Sequence, residues 1–102
     1  MWNPISKNEL KNIPDLYSTE NVKLSDKLIY LHFFIGSSDW FISEVSHEDY
    51  DLMFGYCILN GDLEMAEWGY VSLSELDSIS IRGIEVDRDL YWDVRKFSAI
   101  KL

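Results

Sequence analysis

The chain holds one cysteine among its 102 residues, Cys57, so no intramolecular disulfide can form. That usage reads as a cytosolic (cytoplasmic) protein. Long apolar runs are missing too. The longest, Leu28 to Ile35, has eight residues and includes His32, whereas a membrane-spanning helix needs about 20. Met1-Trp2-Asn3-Pro4 lacks the basic and apolar regions of a signal peptide. Position 2 is not glycine, and Lys101-Leu102 offers no prenylation cysteine. The five glycines are scattered, so no phosphate-cradling loop exists. C-x-x-C, H-E-x-x-H and G-x-S-x-G are all absent. One cysteine and two histidines exclude the usual zinc sites by count. Asp49-Tyr50-Asp51 and Asp87-Arg88-Asp89 do not extend into a calcium-wrapping loop. No metal, cofactor or catalytic set is therefore expected, and the reading leans away from an enzyme.

Positive charge is absent from a long stretch. Residues 28–81 contain no lysine or arginine, yet hold Asp39, Glu44, Glu48, Asp49, Asp51, Asp62, Glu64, Glu67, Glu75 and Asp77. The flanks are balanced, so the net charge of −9 belongs to the middle of the chain. Such a field repels nucleic-acid phosphates and attracts a basic protein surface. A plainly solvated acidic surface is the bland alternative. Apolar types at 47% and aromatics at 15% are ample for one core, which excludes disorder and fits a single domain over residues 1–102.

Local patterns then divide the chain. Ser6-Lys7-Asn8-Glu9 fits a capping box ahead of Leu10 and Ile13, with Pro14 as a stop. Leu28–Ile35 reads as a strand, with Ile29, Leu31, Phe33 and Ile35 opposing Leu28, Tyr30 and Phe34. Trp40–Val45 reads as a second, with Trp40, Ile42 and Glu44 on one face and Phe41, Ser43 and Val45 on the other. Leu52–Leu59 and Ala66–Val71 are the third and fourth, joined through Asn60-Gly61. Ser72-Leu73-Ser74-Glu75 is a second capping box. Ile79–Ile81 and Ile84–Val86 flank a bend at Arg82-Gly83. Asp87 to Leu102 is too apolar to hang free. Short links between strands favour an antiparallel meander, and strands apolar on both faces demand cover on both.

Chemistry-bearing side chains have ordinary readings. His32 reads as a hydrogen-bonded core or edge residue, His47 as a solvated turn residue, and Cys57 as a structural thiol in an apolar strand. Gly55 and Gly69 each precede a tyrosine and suggest paired strand positions with a ring over the backbone.

Five stretches stand together: Leu16-Tyr17-Ser18-Thr19-Glu20, Phe33-Phe34 with Trp40 and Glu44, Phe54-Gly55, Glu67-Trp68-Gly69-Tyr70-Val71-Ser72-Leu73-Ser74-Glu75-Leu76, and Glu85-Val86-Asp87-Arg88-Asp89-Leu90-Tyr91-Trp92. In these the chain resembles the family of small bacterial proteins catalogued as domain of unknown function 2958. Asp87-Arg88 and the long Ile58-to-Met65 connection depart from the pattern. The resemblance carries no activity and no catalytic residues. It implies a passenger of plasmids, phages or conjugative elements.

The fold expected is α+β: a four- or five-stranded, mainly antiparallel sheet, two short helices and a packed C-terminal segment. The function expected is a non-enzymatic acidic interaction protein from a mobile element or phage. It would dock a basic nucleic-acid-binding or defence protein, such as a CRISPR or restriction component, without touching nucleic acid or membrane. Glu44, Glu48, Asp49, Asp51, Asp62, Glu64 and Glu67 would carry the field, with Tyr50 or Trp68 as anchor. The alternatives are a ligand-binding domain or enzyme with an aromatic pocket around Tyr30, His32, Tyr56 and Tyr70, and a structural homodimer joined through a bare sheet face.

Overall fold

In the computed structural model, which describes residues 1–102, both capping motifs open helices. Ser6 Oγ accepts from the Glu9 N–H at 3.2 Å, and Glu9 accepts from the Ser6 N–H at 3.4 Å. This closed box starts helix α1, Lys7–Leu10. A single turn cannot hold itself in water; α1 persists because Leu10 and Ile13 are buried against the sheet. Strands β1 (Leu28–Ile29), β2 (Leu31–Ile35), β3 (Ser38–Val45), β4 (Leu52–Ile58) and β5 (Glu67–Ser72) follow. At the end of β5, Ser72 Oγ accepts from the Glu75 N–H at 3.0 Å and caps helix α2, Leu73–Ser78. A hairpin of β6 (Ser80–Ile81) and β7 (Ile84–Glu85) turns at Arg82 and Gly83, both at positive φ as a tight two-residue turn requires. Strands β8 (Asp87–Arg88) and β9 (Arg95–Lys96) complete the chain.

The main sheet has five strands in the order β5-β4-β3-β2-β8, every neighbouring pair antiparallel. The fold is α+β, and the meander is closed on one side by a strand from the C-terminal segment. One face packs Phe33, Ile42, Val45 and Met53 against Leu10, Ile13 and Leu76 of the helical side. The other packs Ile29, Phe41 and Ile58 against Trp92, Phe97 and Ile100 of the C-terminal segment. Both faces are therefore covered within one chain, which removes the bare face on which the homodimer expectation rested.

Two strand readings need correction. Leu28–Ile35 is not one strand: it breaks at Tyr30, and β1 pairs with β9 while β2 pairs with β3 and β8. Ile29 and Leu31, two residues apart, consequently enter opposite cores. In β3, Ile42 faces Gly55 and Glu44 faces Phe54, so Ser43 is an extra residue in the ladder. This bulge reverses the alternation beyond it. Val45 joins Trp40 and Ile42 on the helical face, and Glu44 moves to the face of Phe41. The same bulge explains Gly55. A Cβ there would lie 2.1 Å from the Phe41 carbonyl oxygen. Gly55 and Gly69 are indeed register partners, but backbone, rather than a ring, excludes the side chain at Gly55.

Candidate functional site

The acidic residues singled out in the sequence do not form one surface. Glu48, Asp49, Tyr50 and Asp51 lie in the β3–β4 connection. Asp62 and Glu64 lie in the β4–β5 connection, next to Glu67 and Trp68 at the start of β5. The seven residues of β4 separate the two connections, a span of about 20 Å. Several of these carboxylates are occupied in building turns. Asp49 accepts from the N–H groups of Asp51 and Leu52, which hold its carboxyl below the usual range. Asp51 takes the Ser74 N–H at 2.9 Å and the Ser74 hydroxyl at 3.1 Å. Asp62 accepts from Glu64 and Met65. The intended anchors are half-buried. Tyr50 stacks on His47, and Trp68 packs among Phe54, Tyr56 and Phe97.

Glu44 departs furthest from its expected role. The bulge at Ser43 turns it under the segment 15–27, where its side chain is 5% exposed and lies 3.5 Å from an equally buried Lys27 ammonium. Its carboxylate also accepts from the Tyr17 N–H at 2.9 Å and from the Thr19 N–H and hydroxyl. Lys27 donates to the Thr19 carbonyl and hydroxyl oxygens. Buried charges survive only when paired and fully hydrogen-bonded. Glu44 is thus the pin that ties residues 15–27 to the sheet.

The aromatic pocket of the alternative reading is not assembled. Tyr30 packs on the helical-face core. Tyr56 packs on Phe97 and Trp68. Tyr70 lines a separate cavity of about 440 Å³ with Tyr17, Phe54, Lys27 and Glu44. Its ring lies 6.3 Å from that of Tyr17, and the Tyr17 phenol raises its pKa. His47 donates from Nε2 to the Ile13 carbonyl at 2.6 Å, while its N–H bonds Asp15, so it fastens a turn. Cys57 is half-buried, and burial, reinforced by the charge of Glu67, pushes its pKa up to about 11.

What the fold does bring together is a centre on His32. Ring atom Nε2 lies 2.7 Å from Asp39 Oδ1, and Nδ1 lies 3.2 Å from Asp89 Oδ2. Phe41 stacks on the imidazole at 4.6 Å, and Trp92 lies at 5.3 Å. The parts come from β2, β3 and the residue after β8. The Asp89 N–H bonds the His32 carbonyl at 2.9 Å and fixes the carboxylate beside the ring. The Trp92 indole donates to the Ile29 carbonyl at 2.9 Å, and Arg95 covers its ring at 4.1 Å.

Each ring nitrogen thus faces a carboxylate oxygen, and the imidazole sits between two carboxylates held at fixed positions. On one side lies a cleft of about 630 Å³, which includes Ser37, Leu63, Arg95 and Lys101. On the other lies a cleft of about 440 Å³ lined by Asp39, Asp87, Asp89, Phe34, Leu90 and Tyr91 together with Asn3 and Arg88. Arg88 is turned to Glu9 at 2.6 Å and holds that carboxyl below its usual range. Asp39 Oδ2 and Asp87 Oδ2 accept no hydrogen bond from the chain. Tyr91 beside them is 92% exposed. This second cleft thus combines three carboxylates with an exposed aromatic ring, groups of a kind that attract a cation. No cluster of three or more His, Cys, Asp or Glu side chains is placed to hold a metal ion, and no helix is long and apolar enough to cross a membrane.

Sequence reasoning treated His32 as a hydrogen-bonded residue, which it is, and missed its partners. The available signal was the Glu85–Trp92 block. It supplies Asp87, Asp89, Tyr91 and Trp92 in one short stretch, but nothing local points it at His32.

A family model described as "Protein of unknown function (DUF2958)" matches residues 9–99. No curated protein matches the chain, and no solved structure matches it.

Proposed function

We propose a partner-binding, non-enzymatic role for this chain, which belongs to the DUF2958 family of proteins of unknown function. It docks a basic protein by receiving a lysine or arginine side chain in the acidic cleft beside His32. One observation carries the reading: Asp39, Asp87 and Asp89 converge next to a Tyr91 ring that no other part of the chain covers. Exposed aromatic rings with carboxylates at their edge suit a guanidinium, which stacks and hydrogen-bonds together. The net charge of −9 adds long-range attraction. A nucleic-acid-binding or defence protein is the class of partner this charge fits.

The test is fluorescence anisotropy with a labelled arginine-rich peptide at low and high salt. Wild type should bind at low salt, and raising salt should weaken binding by about tenfold or more, as screened charges lose their attraction. Tyr91→Ala and Asp87→Asn should each weaken binding at low salt, with the circular dichroism spectrum unchanged. Binding that ignores both substitutions, or no binding at low salt, overturns the proposal.

A further inference from the structure

The Leu73 N–H donates to the Asp51 carbonyl at 2.8 Å. With Leu52 opposite Ser72, this bond sets the phase of the β4–β5 ladder. Hydrogen-bonded and non-hydrogen-bonded pairs alternate in an antiparallel ladder. The backbone groups of Glu67, Gly69 and Val71 therefore face β4, and those of Trp68 and Tyr70 face away from it. β5 is the outermost strand on its side of the sheet, and no turn, loop or cap bonds the N–H or C=O of Trp68 or Tyr70.

Natural sheets guard such an edge with lysine, proline, a bulge or a very short strand. The other edge follows this rule: β8 has two residues, and Trp2 bridges Asp87 alongside it. β5 does not. Its six residues, Glu-Trp-Gly-Tyr-Val-Ser, contain no lysine, no proline and no bulge, and their one charge, Glu67, stands at the end.

We propose that β5 pairs antiparallel with the β5 of a second copy about a two-fold axis at Gly69, uniting two sheets edge to edge. The register follows from the outward groups. Trp68 exchanges both backbone bonds with Tyr70 of the second copy, and symmetry repeats the exchange. Trp68 and Tyr70 share a sheet face, so each indole meets a phenol across the axis, a favourable cross-strand pair. Tyr70 is 52% exposed in the single chain and gains cover. Gly69 meets its own copy, and space for this close approach exists, since a Cβ there has nothing within 4 Å. Glu67 falls opposite Val71. The two Glu67 carboxylates stand about 13 Å apart along the strands, beyond the Debye length of about 8 Å at physiological salt. Each copy carries a net charge of −9, so the strand bonds and the Trp68–Tyr70 pairs act against a net repulsion that salt screens. The cleft beside His32 is at the β2–β8 side and stays free in the pair.

Sedimentation velocity across a concentration series tests the interface. Wild type should pass from one to two chain masses as concentration rises. Gly69→Lys sets two ammonium groups face to face on the axis while its new side chain enters open space in the monomer. It should raise the dissociation constant about fivefold or more, because like charges directly opposed destabilise a strand pair. An equimolar mixture of Gly69→Lys and Gly69→Glu should restore association. Circular dichroism establishes that each variant is folded; should Gly69→Lys unfold, Tyr70→Pro, which deletes an outward N–H, takes its place. A wild type that stays monomeric throughout, or a pair indifferent to these substitutions, overturns the proposal.

Discussion

Lys27 and Glu44 stabilise the fold only together. Lys27→Met strands a carboxylate at a site 5% exposed, and breaking a buried pair in this way costs about 3–5 kcal/mol. The double variant Lys27→Met/Glu44→Gln should lose less than the sum of the single losses, because neither charge is then left alone. Urea denaturation of the four proteins measures this. The two paired glycines should behave oppositely. Gly55→Ala drives a methyl to 2.1 Å from the Phe41 oxygen and should cost about 1–3 kcal/mol through forced backbone shifts. Gly69→Ala enters open space and should stay within about 0.5 kcal/mol. Cys57, with its pKa pushed up to about 11 by burial, should react slowly with a thiol reagent at pH 8 and quickly once urea unfolds the chain. Rapid labelling of the native protein would contradict that environment.

Among the elements, those specified by neighbouring residues were readable. Both Ser-x-x-Glu motifs cap helices, although the second closes only half its box, through the Ser72 hydroxyl. Ser72→Ala should cost about 1 kcal/mol, seen as a lowered urea midpoint with unchanged slope. The meander strands were readable from their branched and aromatic content. The bulge at Ser43 and the break at Tyr30 were not, since both arise from what lies across the ladder, and each one reverses which side chains face which core. β8 and β9 are two residues each and carry Asp87, Arg88, Arg95 and Lys96. Such residues have no strand preference of their own; pairing with β2 and β1 makes them strands. The centre on His32 was hidden for the same reason, because Asp89 is 57 residues away in sequence.

For the molecule as a whole, the acidic excess is real but distributed, and part of it works inside the structure. Glu9, Asp15 and Asp49 all have their pKa lowered, by Arg88, by the His47 N–H, and by the Asp51 and Leu52 N–H groups respectively. A carboxyl easier to ionise in the folded than in the unfolded chain contributes stability fully present above its ordinary value, 4.5 for Glu9 and 3.8 for the aspartates. That contribution is lost as pH falls through the lower folded values. The thermal midpoint should therefore drop as pH is lowered below about 4, and Glu9→Gln should make the drop shallower. A midpoint that holds steady through this range would contradict the assignment.

The strand order also has a consequence for synthesis. A ribosome delivers residues in chain order, so β2 to β5 can zip together before Asp87 emerges. Until residues 92–100 follow, Phe41, Tyr56 and Trp68 stand as an uncovered aromatic ledge. The segment that covers this ledge is therefore translated after the strands it covers, and the ledge stays open until then.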